Sequence, residues 1–331
     1  MTAPVDAWLP LLRCTVCGGE LSFSEDDRSV LGCVACPCTF PVRDGTVRMT
    51  HAVASLDEPD LRGRTADSFA FEWERFGQTR TEWERNFLDY MQPHDRSFFN
   101  GIRVLDAGTG SGRHARMASL YGASVAAIDL GASIDVARAN VPPDVLTVQT
   151  DLESLPFEPQ TFDLVMSIGV LHHLPNPERA LTYLAQFAKP GGRVRIYLYW
   201  RPQQTWHRIA LRRVDAARRL TTRLPHRLLE ALCYPLAAIL WIGIVTPYKI
   251  LRRAGLDRIA DTLPLKTYAD YPFGVLVNDQ FDRFSAPSEK RFTASEVEQM
   301  MLRAGLHDVR VLPNSGWVAE GTAPAATSSL A

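Results

Sequence analysis

Residues 104–115, VLDAGTGSGRHA, decide the fold of this chain. An apolar strand comes first, and Gly108, Gly110 and Gly112 follow it at G-x-G-x-G spacing before a helix begins. Glycine is needed where a backbone turns tightly and approaches a ligand without Cβ contacts. The helix N-terminus then offers unpaired N–H groups to a ligand carboxylate. The dinucleotide-binding fingerprint G-x-G-x-x-G would need a third glycine three residues after Gly110. Arg113 stands there, so the sequence does not match that fingerprint.

Around this loop, short apolar strands alternate with helical segments from Gly101 to Trp200. Continuous apolar strands that alternate with helices predict a parallel sheet covered by helices on both faces. One of these helices is expected over 177–188. Near the end of the chain, Thr293 is the expected N-cap of a helix that closes on Gly305. The predicted strands are IRVLDA, SVAAIDL, VLTVQT, FDLVMSI, RVRIYLYW, HDVRVL and GWVAEG.

Acidic residues stand at the ends of three consecutive strands, of which Asp106 ends the first. Asp129 ends the next strand, where a carboxylate can accept both hydroxyls of a ribose. Asp151 ends the third, placed to accept from an adenine amino group, with Leu152 against the ring. The segment 162–181 adds a fourth strand that ends at the topological switch point, where open sheets bind ligands. One strand-end acid is usually a solvated cap, but this set agrees with the glycines and predicts a nucleoside site.

The motifs DAGTGSG, AAIDL, TDLESLPF and SIGVLHHLPNPERAL, followed by KPGGRVRI, resemble those of class I, type-11 small-molecule methyltransferases. The resemblance covers roughly residues 100–200 and again 290–322. It implies S-adenosylmethionine (SAM) as the cofactor and a seven-stranded sheet whose last hairpin supplies an antiparallel strand. The candidate cofactor-binding residues are Asp106, Gly108, Gly110, Gly112, Asp129, Leu130, Asp151, Leu152 and Ser167.

The resemblance also directs attention to two histidines. A sulfonium methyl group is already electrophilic, so such an enzyme mainly aligns a nucleophile and excludes water. A general base matters only when that nucleophile is protonated at pH 7. His172 and His173 follow the fourth strand and are the candidate catalytic residues, with His172 expected nearer the cofactor and His173 towards the substrate. The alternative is that both only pack against the loop or hydrogen-bond it.

Residues 68–100 are aromatic and charged, and they predict amphipathic helices. Phe71, Trp73 and Phe76 are candidates to fold over the cofactor as a lid. The alternative is that these aromatic side chains dock the helix onto the sheet, which is the interpretation favoured for Trp83.

Five of the six cysteines lie in the first 50 residues. Cys14-x2-Cys17 and Cys33-x2-Cys36 form two CxxC knuckles fifteen residues apart, a spacing that fits a tetrahedral site of four thiolates for zinc. Cys38 is a fifth candidate that can replace Cys36, and metal-free thiols are the alternative. The segment beginning CTVCGGEL resembles the zinc-ribbon family that activates tRNA and release-factor methyltransferases, here fused in cis. Because a four-thiolate site has no open position, its Zn²⁺ is expected to be structural.

Between Trp200 and Phe292 the alternation of strands and helices stops. Residues 201–230 carry eight arginines and two acids, whereas 231–248 carry no charge. That uncharged run approaches transmembrane length, but two prolines and a glycine interrupt it. A helical cap over the substrate is favoured, with contact of 201–250 to an anionic membrane surface or to a lipid-like substrate as extensions. A helical addition that packs or dimerises is the alternative, with Cys233 as a buried apolar residue. The candidate substrate-binding residues are Tyr268, Tyr271, Asn278, Gln280, Asp282 and Arg283.

A chain of 331 residues suffices for one large α/β domain with small additions. Its net charge of −1 gives no sign of a dedicated nucleic-acid binder, and the start MTAPVDAWLPLLRC lacks the pattern of a secretory signal. We therefore expect a cytoplasmic protein without disulfides. The expected fold is α/β, with a Rossmann-like seven-stranded sheet, helices on both faces, an N-terminal zinc ribbon and a helical insertion before the last two strands. The expected parts are a zinc ribbon (1–50), a linker and helical lid (51–100), a SAM-binding core (101–200), a helical substrate cap (201–290), the end of the core (291–322) and a flexible tail (323–331).

The sequence thus predicts SAM-dependent methylation of a small apolar molecule, such as a lipid, a quinone or a secondary metabolite. One alternative is an rRNA or tRNA methyltransferase whose zinc ribbon recognises RNA. The ribbon lacks a basic groove with stacking aromatic residues, which argues against that alternative, although the basic run at 201–227 favours it. The other alternative is a SAM-binding scaffold without activity, against which the intact glycine loop argues. The pattern predicts neither the acceptor atom nor the oligomeric state.

Overall fold

The structure is a computed structural model, and it describes residues 3–24, 27–50, 61–78 and 82–325. The predicted linker at 51–60 and the last residues of the predicted tail, 326–331, lie outside the described residues. Two compact units make up the chain. The first comprises residues 1–73, 77–201 and 288–331, and the second comprises 74–76 and 202–287.

The first unit is built on one large sheet. Among the described residues it has eleven strands, in the order β1-β2-β3-β4-β7-β6-β5-β8-β9-β11-β10. Their bounds are β1 Leu21–Phe23, β2 Val30–Cys33, β3 Thr39–Arg43, β4 Thr46–Arg48, β5 Arg103–Ala107, β6 Ser124–Asp129, β7 Leu146–Gln149, β8 Phe162–Ile168, β9 Ala188–Leu198, β10 His307–Pro313 and β11 Trp317–Thr322.

The predicted α/β sheet is confirmed in strands β5 to β11. Strands β5 to β9 run parallel to one another, and β11 is antiparallel to both β9 and β10. The predicted count of seven describes only this part of the sheet, because four strands of the cysteine-rich segment extend it beyond β7.

Twelve α-helices lie in the described residues, together with short 3₁₀ segments and a π-helical turn over Trp241–Val245. Helix α12 begins at the predicted cap Thr293, where a capping box with Glu296 forms. Their bounds are α1 Ala3–Trp8, α2 Leu61–Phe76, α3 Glu82–Met91, α4 Arg113–Leu120, α5 Ser133–Asn140, α6 Pro177–Ala185, α7 Thr205–Thr221, α8 His226–Leu240, α9 Thr246–Arg253, α10 Asp257–Ala260, α11 Phe273–Ser285 and α12 Ala294–Arg303.

Helices cover both faces of the sheet, as the continuous apolar strands predict. In β5, Val104 packs into a cluster with residues of α3 and α4, whereas the next residue, Leu105, packs into a cluster with residues of α6 and α12. Successive strand residues point to opposite faces, so both faces of β5 are buried. This burial fixes the carboxyl ends of the strands, where the candidate site lies.

The cysteine-rich segment is joined to the sheet and has no separate core. Strand β4 pairs in parallel with β7, with Thr46 opposite Thr147, and the hydroxyls of these two residues lie 2.8 Å apart. Trp8 of α1 stacks on Phe162 with 5.8 Å between ring centroids. The cysteine-rich segment therefore shares the core of the sheet.

The second unit consists of the helices α7 to α11 with the short segment 74–76. Helix α11 packs against α7 and α8. The buried residues of α8 are Leu229, Cys233 and Ala237, so the prediction that Cys233 is a buried apolar residue is confirmed.

Candidate cofactor and metal sites

The loop between β5 and α4 requires its glycines. Gly108, Gly110 and Gly112 have φ angles of 82°, 54° and 79°, in the left-handed region that favours glycine. A Cβ atom at Gly108 would lie 2.5 Å from the side chain of Val170. A Cβ atom at Gly110 would lie 2.7 Å from Nε1 of Trp73. The loop is therefore tightly turned, as the sequence predicts, and side chains of Val170 and Trp73 cover two of its glycines.

Asp106 lies beneath this loop. Its side chain is buried, and one carboxylate oxygen accepts hydrogen bonds from Oγ1 of Thr109 (2.7 Å) and from the backbone N–H of Ala115 (3.1 Å). Burial raises the pKa of Asp106 to about 6. The carboxylate thus links the end of β5 to the first turn of α4, and its hydrogen bonds stabilise the glycine loop.

Asp129 lies beside the loop at the end of β6. One of its carboxylate oxygens accepts from the backbone N–H of Gly110 at 2.9 Å, and the other accepts from Gly131 at 3.1 Å. Burial raises the pKa of Asp129. The next residue, Leu130, is half-buried, and its carbonyl accepts from Gln149 at 3.1 Å. The structure therefore brings the second predicted acid to the glycines.

Asp151 follows β7, the next strand in the sheet. Its carboxylate accepts from the backbone N–H of Glu153 at 2.8 Å and pairs with Arg62 of α2 at 3.1 Å. Arg62 also pairs with Glu153 at 2.7 Å. Leu152 is buried beside them. Arg62 is absent from the predicted site, because it precedes the glycine loop by more than forty residues and no strand-end pattern marks it.

The fourth strand brings Ser167 and the two histidines to the same edge of the sheet. Ser167 is buried and donates to the carbonyl of Ala107 at 2.9 Å, which ties β8 to β5. His172 is fully buried, and neither ring nitrogen makes a hydrogen bond of normal geometry to the described residues. Burial, followed by the nearby His173 and Arg291, lowers the pKa of His172 well below its usual value. His172 is therefore a neutral imidazole in an apolar setting.

His173 has a defined partner. Its Nδ1 lies 2.8 Å from the carbonyl of Ser288, and Phe69 of α2 packs on its ring at 4.9 Å in a T-shaped contact. A carbonyl only accepts, so the proton of the neutral imidazole lies on Nδ1. In that tautomer Nε2 is the basic nitrogen of His173, the histidine that the sequence places towards the substrate.

Helix α2 lies along the carboxyl ends of these strands. Its buried residues are Thr65, Ser68 and Glu72, which are all polar. The backbone at Ala66 comes within 2.9 Å of the position that a Cβ of Gly131 would take. Trp73, one of the predicted lid residues, lies over Gly110, with the guanidinium of Arg113 5.5 Å from its ring.

The other aromatic residues of this region differ in their surroundings. Phe71 is half-buried, and Phe76 belongs to the second unit. Trp83 packs with Phe87 and Met91 in the cluster beneath α3, so the prediction that Trp83 only packs is confirmed. The lid interpretation is thus strongest for Trp73.

The four predicted cysteine ligands converge. The sulfur atoms of Cys14, Cys17, Cys33 and Cys36 all lie within 4.8 Å of one another, with 3.4 Å from Cys17 to both Cys33 and Cys36. Zinc–sulfur bonds of about 2.3 Å in a tetrahedron place sulfurs about 3.8 Å apart, so the cluster fits the size of a zinc ion. Cys38 is not part of this group of four, so the geometry favours Cys36 as the fourth ligand.

The predicted substrate residues lie in the second unit, on α11 and just before it. The hydroxyl of Tyr268 donates to Asp279, and burial raises the pKa of Tyr268. The side chain of Gln280 is buried, and its amide nitrogen has no hydrogen-bond partner among the described residues. The remaining four candidates are half-buried: Tyr271, Asn278, Asp282 and Arg283. The unit therefore holds a group of polar side chains, and their role in substrate binding stays a prediction.

Comparisons with known proteins bear on this geometry. Residues 105–196 match the family model described as a methyltransferase domain. The ubiquinone biosynthesis O-methyltransferase of Coxiella burnetii is 34% identical over 150 residues, which cover 44% of this chain and 64% of that protein. This chain therefore spans less than two-thirds of the length of that curated relative.

Solved structures give matches of low similarity. An O-methyltransferase family protein from Burkholderia thailandensis has a TM-score of 0.45 and 15% identity, covering 81% of this chain and 61% of that one. A complex of the Haloferax volcanii Trm112 methyltransferase activator with a methyltransferase has a TM-score of 0.45 and 16% identity, covering 78% of this chain and 97% of that one.

Proposed function

We propose that this chain is a class I SAM-dependent methyltransferase that acts on a small apolar acceptor, because residues 105–196 match the model of a methyltransferase domain. The observation that carries this proposal is the hydrogen bond from Gly110 to Asp129, which joins the glycine loop to the strand-end acid. The relative named for ubiquinone biosynthesis supports a quinone or lipid acceptor methylated on oxygen.

The residues present fit the cofactor. The backbone of Gly108, Gly110 and Gly112 would hold its amino-acid end, and Asp129 would accept the ribose hydroxyls. Asp151 and Leu152 would hold the adenine. When bound, SAM supplies an electrophilic methyl group, so the side chains of this chain have only to orient the acceptor and remove its proton.

Orphaned polar atoms at this edge of the sheet agree with that fit. Ser68 of α2 is buried, and its hydroxyl has no hydrogen-bond partner among the described residues. A buried hydroxyl without a partner costs free energy, and a polar ligand bound at this edge would remove that cost. We assign Asp106 and Ser167 to the support of the loop, because their hydrogen bonds are made to the chain itself.

A hydroxyl acceptor needs a base, and His173 meets the requirement. The carbonyl of Ser288 holds its Nδ1 proton, and this leaves Nε2 able to take a proton from the acceptor. His172 is fully buried and remains neutral, and we assign it to the packing of the loop with Tyr199, whose ring lies 4.0 Å away.

The cysteine cluster would hold a structural zinc ion. Four thiolates complete a tetrahedron and leave no position open for catalysis. The ion would brace the ribbon whose last strand, β4, hydrogen-bonds to β7. Since β7 leads directly to Asp151, we propose that the ribbon stabilises the adenine side of the cofactor site.

Binding of SAM to the purified chain tests the proposal. Calorimetry and thermal shift should show binding of SAM and of its demethylated product. Radiolabelled SAM, incubated with the chain and separate quinone, lipid and RNA fractions, should label the quinone or lipid fraction. A folded chain that binds neither compound overturns the proposal, and labelling confined to RNA overturns the choice of acceptor.

A further inference from the structure

A row of apolar side chains is exposed along the long helix that runs from His226 to Arg253 through α8, the π-helical turn and α9. The row consists of Leu228, Leu232, Ile239 and Ile242, which are between 48% and 70% exposed. At 3.6 residues per turn, these four side chains point within roughly 80° of one another and extend over about 21 Å. We call them the apolar stripe.

The opposite side of the same helix is buried. Leu229, Cys233 and Ala237 point away from the apolar stripe, and α8 packs against α11. Helix α11 carries Asn278, Asp279, Gln280, Asp282 and Arg283. One side of this helix therefore packs against α11, which carries polar side chains, and the side with the apolar stripe is exposed.

This arrangement argues against a membrane span. The helix of 28 residues is long and apolar enough to cross a bilayer, by length and composition alone. A span would bring the amides and charges of α11 into the hydrocarbon, where unpaired polar groups are costly. A helix lying in the plane of the surface would bury the apolar stripe and leave α11 on the aqueous side.

The segment that contains the apolar stripe is rich in cations. Residues 201–260 contain twelve lysines and arginines but only three acids. Each of these acids is paired within the unit, Asp215 with Arg218, Glu230 with Arg75 and Asp257 with Arg252. Exposed cations include Arg212, Arg213, Arg219, Arg223, Arg227 and Arg253. The segment thus combines exposed apolar side chains with an excess of positive charge.

We propose that the apolar stripe inserts into the headgroup region of an anionic lipid bilayer, and that exposed arginines of residues 201–260 bind lipid phosphates. A second copy of this chain is a poorer occupant, because a symmetric contact would bring two positively charged surfaces together. The proposal does not rest on the proposed function. It does place the protein where a lipid-soluble acceptor dissolves.

Flotation of the full chain with lipid vesicles tests the proposal. The chain should float with vesicles of phosphatidylcholine and phosphatidylglycerol, and far less with phosphatidylcholine alone. Added salt should weaken the binding, because it screens exposed charges. The variant Arg212→Ala/Arg213→Ala should bind about fivefold more weakly for each charge removed, at about 1 kcal/mol per charge.

The apolar contribution is tested by Ile239→Ser/Ile242→Ser. Binding should fall at least roughly tenfold, because two large apolar side chains no longer leave water. The matched control is Leu120→Ser/Leu312→Ser, which changes two exposed leucines of the first unit (55% and 40% exposed) and should bind as the wild type does. A cooperative thermal unfolding transition at the wild-type temperature, measured on each variant without any ligand, confirms that the chain is folded.

Four outcomes overturn the inference. The first is a folded wild-type chain that does not bind anionic vesicles, and the second is equal binding by the stripe and control variants. The third is vesicle-bound protein that resists carbonate extraction. The fourth is a wild-type dimer that the stripe substitutions dissociate. Carbonate resistance would indicate a span, and the dimer would make the stripe an interface between copies. Vesicle binding without SAM binding would overturn the proposed function and leave this inference standing.

Discussion

The carboxylate of Asp129 accepts a hydrogen bond of 2.9 Å from the backbone N–H of Gly110. This bond links the end of β6 to the loop after β5, across nineteen residues of sequence. A second bond, from Gly131, holds the other carboxylate oxygen at 3.1 Å. Asp129 is therefore fixed in orientation before a ligand arrives, and its remaining lone pairs are available for two hydroxyls.

We expect Asp129→Ala to weaken SAM binding by about 2–3 kcal/mol, the scale of a pair of hydrogen bonds to a charged group. That loss corresponds to roughly a 30- to 150-fold rise in Kd, measured by calorimetry. Asp163→Ala is the matched control. Asp163 is a strand acid at the start of β8, where it pairs with Lys189 and accepts from Arg103, so its loss should leave Kd unchanged. Equal Kd values for the two variants would remove Asp129 from the site.

Gly110→Ala should disturb the loop for two separable reasons. Alanine at a φ of 54° costs about 1 kcal/mol, and its Cβ would lie 2.7 Å from the indole of Trp73. The measurement is the free energy of unfolding in urea. Gly191→Ala, at a φ of 74° with open space around it, should show only the backbone cost.

A double-mutant cycle separates the two costs at Gly110. In a Trp73→Ala background, Gly110→Ala should destabilise the chain less than it does in the wild type, because the indole has gone. If the two substitutions add without coupling, Trp73 does not contact the loop and the lid interpretation fails.

Zinc content tests the cysteine cluster. Metal analysis of the purified chain should give one zinc ion, and Cys33→Ser should abolish it, because three thiolates bind far more weakly than four. Cys38→Ser is the matched control, since Cys38 lies outside the cluster and its loss should leave the zinc in place. Because β4 pairs with β7, loss of zinc should also lower the stability of the sheet. Zinc-free wild-type protein, or zinc lost with Cys38→Ser, would contradict the assignment.

Much of the fold could be predicted because its signals are local. The strands around Asp106 and Asp129 are continuous apolar runs, and Thr293 and Glu296 lie three residues apart in a recognisable cap. The glycine loop could be predicted for the same reason. Left-handed backbone at Gly108 and Gly112 needs a residue type that is visible in the sequence itself.

The parts that could not be predicted depend on pairing between distant segments. Strand β4 joins β7 through backbone hydrogen bonds, which leave no side-chain signature at Thr46 or Thr147. Helix α2 buries Thr65 and Ser68, whereas an amphipathic pattern draws attention to its aromatic residues. Amphipathic helices usually bury their apolar side, but a helix that borders a polar site buries polar side chains. This difference can be recognised only when the neighbours of the helix are known.

A buried ion pair between residues distant in sequence could not be predicted for the same reason, and its loss should lower the stability of the fold. Arg195 of β9 is buried, and it donates to Glu320 of β11 at 2.7 Å and to the carbonyl of Tyr90 at 2.7 Å. Glu320→Ala leaves this guanidinium without its carboxylate, and we expect a loss of about 3–5 kcal/mol in unfolding free energy. Glu178→Ala removes an exposed pair with Arg303 and should cost less than about 1 kcal/mol. Similar losses for both variants would contradict the ranking.

The same pair predicts a pH dependence of stability. Although burial alone would raise it, the hydrogen bond from His94 and the charge of Arg195 lower the pKa of Glu320 to about 2. A carboxylate whose pKa is lower in the folded state stabilises the protein above its unfolded value of about 4.3. That contribution should disappear as the pH falls from about 4 to about 2. Urea unfolding over this range should show a smaller pH dependence in Glu320→Gln than in the wild type, and equal curves would assign the effect to other groups.

His173 is the residue on which proton removal from the acceptor is predicted to depend. His173→Asn keeps a side-chain N–H that can still donate to the carbonyl of Ser288, but it lacks a basic nitrogen. We expect kcat with a hydroxyl acceptor to fall roughly 10²- to 10⁴-fold, the range typical of a lost general base, while Kd for SAM stays unchanged. His173→Ala should fall as far and should partly recover with added imidazole, which a purely structural role would not produce. Substituting His172 should instead lower stability, because its ring is fully buried against Tyr199. Near-wild-type kcat in His173→Asn would show that the acceptor loses its proton without this histidine.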